Sequence, residues 1–200
     1  MSNNSKAFVL AARNALSFLE DDHGFALTEL RSKHPFYKVT YRKQTSSADD
    51  LFVCLSTAPV RLEQDLDCGR GWPPEYHNTI NVFELLAIEE PNSNKLKFTS
   101  GVYRFGDAQR MSDQYVEWAS VLRKHGGRFF ASDHSLWDAV HQLRESRIQQ
   151  RENEETSRMA ESAFKQSEWQ QAIALLESLG DNRTKLQAAR LAYARTQAAK

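Results

Sequence analysis

Residues 157–177 constrain the fold of this chain more than any other stretch. They read Ser-Arg-Met-Ala-Glu-Ser-Ala-Phe-Lys-Gln-Ser-Glu-Trp-Gln-Gln-Ala-Ile-Ala-Leu-Leu-Glu. Small residues at Ala160 and Ala163 precede Phe164, and a polar turn, Gln166-Ser167-Glu168, leads into Trp169. Ala172, Ile173, Leu175 and Leu176 continue at helical spacing. Alanines let two helix backbones approach closely, and Phe164, Trp169, Ile173 and Leu176 supply the bulk that fills the seam. The pattern therefore specifies a helix–turn–helix over residues 155–166 and 169–179. Gly180-Asp181-Asn182 breaks it, and a further helix is expected over residues 183–197.

This segment resembles one tetratricopeptide unit over about forty residues. Ser167 stands where that family usually has glycine, and no second full repeat follows. The likeness implies protein binding rather than chemistry. About three stacked repeats are needed for independent stability. A lone unit is therefore expected to pack on the rest of the chain, on a second copy, or on a partner.

The first 150 residues carry mixed signals. Phe8, Ala12, Ala15, Leu16 and Leu19 repeat at three and four, so residues 5–22 predict an amphipathic helix. Gly24 suits its C-terminal cap, with Phe25 folding back as the apolar contact. Residues 36–43 alternate, with Tyr37, Val39 and Tyr41 on one face. Residues 51–56 are apolar on both faces, as in a central strand. Residues 60–67 alternate again, with Val60, Leu62 and Leu66 inward and Arg61, Glu63, Asp65 and Asp67 outward. Three such runs joined by short turns predict an antiparallel meander with one wet face. Asn78 to Glu90 reads as a helix, and Asn81 with Glu84 fits a capping box. Lys95 to Thr99 is a candidate strand. Asp107 can cap a long helix to about Lys124, with Met111, Tyr115, Trp118 and Leu122 on one stripe and Gly126-Gly127 ending it. Phe129-Phe130 reads as a buried link. Ser132 or Asp133 caps the next helix, where Trp137, Val140 and Leu143 point inward. Residues 144–158 are very polar and lack proline and glycine, which predicts a solvated helical connector.

The junction Leu122-Arg-Lys-His-Gly-Gly-Arg-Phe-Phe-Ala-Ser-Asp133, followed by Trp137 and Leu143, is similar to one in immunity-type small bacterial α+β proteins. That resemblance covers residues 5 to 150. It implies an α+β fold and a role as inhibitor or adaptor in a bacterial conflict system, with a toxin or effector as the partner. Fold analogy of this kind bears on architecture more than on activity.

Composition narrows the partner classes. The chain holds 26 basic and 26 acidic residues, so its net charge is zero. Nucleic-acid binding usually leaves a positive footprint. Only the tail after Asp181 offers one, in Arg183, Lys185, Arg190, Arg195 and Lys200, and a solvated helix face explains it as well. No apolar run reaches the roughly 20 residues that span a bilayer. Phe8 to Ala12 is too short for a signal peptide. The expectation is a cytoplasmic protein with no nucleic-acid or membrane partner. Cys54 and Cys68 are too few for a disulfide framework. A hairpin turning near Ala58-Pro59 would put Cys54 opposite residue 63 and Cys68 roughly 16 Å away, too far to bridge.

Motifs for chemistry are weak. His134, Asp138 and His141 are spaced to share one helix face and are zinc-compatible ligand types. Their face lies opposite or beside Trp137 and Val140, so a wet surface is the expected reading. Glu63, Asp65 and Asp67 read as the solvent side of a strand rather than an acid–base pair. Ser132-Asp133-His134 has triad residue types, yet sequence neighbours cannot adopt triad geometry. The loop Arg70-Gly-Trp72-Pro73-Pro74-Glu75-Tyr76-His77 is stiffened by two prolines and gathers hot-spot residue types. Arg70, Trp72 and Tyr76 are therefore the candidate partner-binding residues, with Trp72 as a lid on the sheet the competing reading.

The sequence thus predicts an α+β domain over residues 1–150, with a three- to four-stranded antiparallel sheet packed against helices. A tetratricopeptide-like helical hairpin plus one helix follows over residues 151–200. The expected function is non-enzymatic protein–protein interaction, with no catalytic residues, metal or cofactor. A metal-assisted hydrolase using His134, Asp138 and His141 is the alternative. A scaffold that forms homo-oligomers through its C-terminal helices is the third reading.

Overall fold

The computed structural model describes residues 3–33, 36–45, 50–58, 63–71, 78–91 and 108–200. The chain divides into two compact units, Met1–His141 and Gln142–Lys200.

The first unit is α+β. It opens with α1 (Asn3–Leu16) and α2 (Phe18–His23), so the expected single helix is interrupted at Ser17. Gly24 ends α2 in the left-handed region at φ 70°, which a residue without a Cβ adopts freely. The Gly24 and Phe25 amides both donate to the Leu19 carbonyl. Five strands follow: β1 (Ala26–Lys33), β2 (Phe36–Lys43), β3 (Leu51–Ala58), β4 (Glu63–Arg70) and β5 (Thr79–Asn81). They form one antiparallel sheet in chain order.

That is more than the three or four strands expected, because β1 carries no readable alternation. Its leucines, Leu27 and Leu30, are three apart. They share a face because a bulge between Leu27 and Glu29 inserts an extra residue, so Leu27 pairs with Tyr41 and Leu30 with Val39. The bulge and the charges of Glu29 and Arg31 also blunt an edge strand that would otherwise invite pairing.

β3 lies at the sheet centre and is buried on both faces. Val53 and Leu55 join Tyr37, Val39, Tyr41, Leu66, Cys68 and Ile80 against the helices. On the other face Phe52 and Cys54 are buried beside Thr40, whose hydroxyl lies 3.4 Å from Glu29 Oε2. Burial opposes ionisation of the Glu29 carboxyl. The Lys38 ammonium, Arg31 and the Thr40 hydroxyl outweigh it and hold the group below the usual range. Cys54 pairs with Asp67 rather than with residue 63, and Val53 pairs with Cys68. The two cysteines therefore sit one register step apart on opposite faces. Side-chain direction, not the expected separation, keeps them from bridging.

The helices of this unit follow their sequence signals closely. α3 (Val82–Glu89) begins at Asn81 with both halves of a capping box: Asn81 Oδ1 accepts from the Glu84 amide at 2.9 Å, and Glu84 Oε2 from the Asn81 amide at 3.2 Å. This pairing satisfies a carboxylate that is otherwise buried. The residues before it, expected to be helical, supply β5 instead. α4 (Ala108–His125) buries Tyr115, Trp118 and Leu122 as one stripe. Phe129 is buried within the short α5 (Gly127–Phe130). The candidate strand at Lys95 to Thr99 and the cap at Asp107 lie outside the described residues.

α6 (His134–Lys165) is one continuous helix of 32 residues, and the division between the units falls inside it. The polar connector is thus helical, as its composition requires. The second unit continues through α7 (Trp169–Ser178), a 3₁₀ turn at Gly180–Asn182, and α8 (Lys185–Ala198). Ala160, Leu176, Leu179 and Leu191 form its core, with Ile173 and Leu175 against them. Ala163, Ala172 and Ala194 are also buried, which gives the close helix approach expected. Ser167 sits at φ 62°, the left-handed region where glycine is unstrained and a serine costs roughly 1 kcal/mol.

Candidate interaction surface

Arg70 is placed by β4, whose last residue it is. Its guanidinium Nη1 donates to His134 Nδ1 at 2.9 Å and lies over the buried Trp137 ring, 5.3 Å from its centre. Arg70 is therefore docked on the first turns of α6. Trp72 and Tyr76, the other two candidate binding residues, lie outside the described residues.

His134, Asp138 and His141 are all exposed on α6. Among the described residues no three histidine, cysteine, aspartate or glutamate side chains gather closely enough to hold a metal ion. The triple alanine variant is expected to change unfolding free energy by no more than about 1–2 kcal/mol, since Asp138 and His141 are exposed and only the exposed Arg70–His134 bond is lost. Stoichiometric zinc in the wild type, lost in that variant, would contradict this.

Asp133 caps α6, accepting from the Ser135 amide at 2.8 Å and from its hydroxyl at 2.7 Å. These bonds, and then the Arg128 guanidinium, hold its carboxyl below the ordinary value. Arg128 also reaches Glu89 at 3.1 Å and so ties α3 to the start of α6. Asp133 therefore faces Ser135 and Arg128. Burial pushes the Cys54 thiol up to about 11 and raises that of Cys68 well above its usual value, so neither is an activated nucleophile. Asp67 is half-buried on β4, while the side chains of Glu63 and Asp65 lie outside the described residues.

The second unit holds a surface that the sequence reading did not assemble. α8 runs alongside α6, offset by about 30 residues: Gln187 Nε2 donates to Ser157 Oγ at 3.0 Å, Arg190 lies 3.9 Å from Glu161, and Tyr193 meets Phe164. That offset is shorter than the 34 residues of a tetratricopeptide repeat. Phe164, Trp169 and Tyr193 form an aromatic triangle with ring centres 5.5, 5.8 and 5.8 Å apart. Such tilted and edge-on pairs add about 0.5–1.5 kcal/mol each beyond their burial. The Arg190 guanidinium covers Phe164 at 5.6 Å.

Phe164 and Trp169 are half-buried and Tyr193 is 51% exposed. Trp169 is thus not the fully buried core residue its spacing suggested. Its truncation should cost less than the 3–5 kcal/mol of a fully buried tryptophan. The signal for this surface was the spacing Leu186-x-x-Ala189-x-x-x-Tyr193, an apolar stripe on the outer side of α8. Leu186 is 60% exposed and Ala189 is exposed.

A groove of about 800 Å³ lies where α6 runs on past the start of α8, lined mainly by residues whose side chains end in amides and hydroxyls. Those groups already bond to one another, as in Gln149 to Asn153, Gln150 to Glu154 and Gln187 to Ser157. Among the described residues no helix is long and apolar enough to cross a membrane. Comparison of the chain with protein-family models, curated proteins and solved structures yields no match.

Proposed function

We propose that this chain is a protein-binding module that works by presenting a preformed surface. The observation that carries this reading is the aromatic triangle Phe164, Trp169 and Tyr193, half open on a helical scaffold with an arginine stacked on it. Tryptophan, tyrosine and arginine are the residue types that dominate interface energetics. Here they are held against one another before any partner arrives, which lowers the ordering cost of binding. Inhibition or adaptation by occlusion, the role implied by the immunity-type resemblance, belongs to this proposal. So does the candidate set of Arg70, Trp72 and Tyr76, as a contact surface of its own.

Tyr193→Ala tests it. The substitution removes two ring contacts and lowers the midpoint somewhat, so binding is read at a temperature where circular dichroism shows both proteins fully folded. Capture of the proteins retained by the wild-type chain from its host extract should fall at least about tenfold, the loss of one modest hot spot. Unchanged capture would remove this surface from the reading.

A further inference from the structure

We infer that the outer face of α8 docks an acidic amphipathic helix. This rests on the binding-module reading and specifies its partner's chemistry. Leu186, Ala189 and Tyr193 lie three and four residues apart, the spacing of anchors in helix-on-helix recognition. Leu186 and Tyr193 are 60% and 51% exposed, so a leucine and a tyrosine stand uncovered one above the other. Tyr193 joins this stripe to the aromatic triangle, which makes the apolar surface continuous from α8 to the α6–α7 turn.

Charge selects the occupant. From Asn182 to Lys200 there is no acidic residue, while Arg183, Lys185, Arg190, Arg195 and Lys200 are basic. Glu161, bonded to Lys165 at 3.0 Å, lies 3.9 Å from Arg190, and Glu177 bonds Arg195 at 2.6 Å, so a carboxylate already stands beside each of those two cations. Arg183, which donates to the neutral Leu176 carbonyl, and Lys185 are left at the start of the exposed stripe, and Lys200 follows its end. Lys200 bonds only the neutral Gln197 side chain in the described contacts. An apolar strip flanked by uncompensated ammonium groups complements a helix with an apolar face and carboxylates on its rims. A basic helix would meet like charge at both ends.

The test titrates the full chain with two synthetic amphipathic helices, one of leucine and glutamate and one with lysine in place of glutamate. The acidic helix should bind at least about tenfold more tightly, and its affinity should fall as salt is raised. Leu186→Glu should abolish binding. The Lys185→Glu/Lys200→Glu variant should reverse the preference toward the basic helix, which a loss of folding could not mimic.

Equal affinity for the two helices, or none for the acidic one, overturns the inference. Binding to phosphatidylcholine–phosphatidylglycerol vesicles in place of the acidic helix, abolished by Leu186→Glu, overturns it in favour of a lipid surface. A solution mass that halves in Leu186→Glu overturns it in favour of a second copy of this chain. If the acidic helix fails while Tyr193→Ala still weakens capture from extract about tenfold, the binding-module reading survives and only the partner's chemistry is wrong.

Discussion

Trp118→Ala is expected to lower the unfolding free energy of the first unit by about 3–5 kcal/mol, the range for deleting a buried large aromatic. The side chain is fully buried at the centre of the α4 stripe. Its ring stands edge-on to Phe83 at 5.8 Å and tilted to Tyr115 at 6.2 Å, so truncation opens a cavity and removes two ring contacts. One feature works the other way. Trp118 Nε1 has no hydrogen-bond partner among the described residues, nor has the Tyr115 hydroxyl beside it. A buried donor without an acceptor costs about 1–3 kcal/mol. Trp118→Phe should therefore destabilise much less than its lost volume suggests, because the orphaned N–H goes with the indole. Urea denaturation of the three proteins decides the matter. A loss below about 1 kcal/mol for alanine would mean that α4 does not pack on α1 and α3 in this way.

Gly69→Ala is expected to destabilise by about 1–3 kcal/mol, although alanine usually exceeds glycine in a strand. Gly69 on β4 pairs with Phe52 on β3, and the ring lies across the glycine. A Cβ there would meet Phe52 Cζ at 2.3 Å and the Asn78 carbonyl oxygen at 2.7 Å. The ring can swing aside only by leaving a site where it is buried, and the carbonyl belongs to the backbone leading into β5. Phe52→Ala removes the first clash. The double variant Gly69→Ala/Phe52→Ala should accordingly lose less than the sum of the two single losses, with a coupling of at least about 0.5 kcal/mol. Strict additivity would show that the ring and the glycine do not meet.

Much of this molecule is legible from its chain because the relevant physics is local. The Asn81–Glu84 capping box, the Gly24 stop and the α4 stripe each involve residues within a few positions of one another. The small-residue seam of the helical hairpin and the unbroken α6 are local in the same sense. So is the central place of β3, since a strand apolar on both faces must be covered on both. The candidate site was only partly legible. Phe164 and Trp169 were identified as bulk at a helix seam, but Tyr193 completes their surface from more than 20 residues away, across a pairing that no local pattern encodes. Arg70 was identified by residue type. Its attachment to His134 and Trp137 joins segments 64 or more positions apart.

By itself, the sequence determined which residues turn inward along each helix and strand, because burial imposes the 3.6 and 2.0 periods directly on the chain. Tertiary structure alone decided how those elements are set against each other. The β3–β4 hairpin shows why: pairing Cys54 with Asp67 in place of residue 63 slides one strand by an even number of residues, and every side chain keeps its face. The same blindness hid β1, where the bulge at Leu27/Glu29 converts a spacing of three into a shared face. Period-two alternation fixes the faces of a strand and is silent on even slips and on insertions. Those are settled by the contacts that remote segments make on folding.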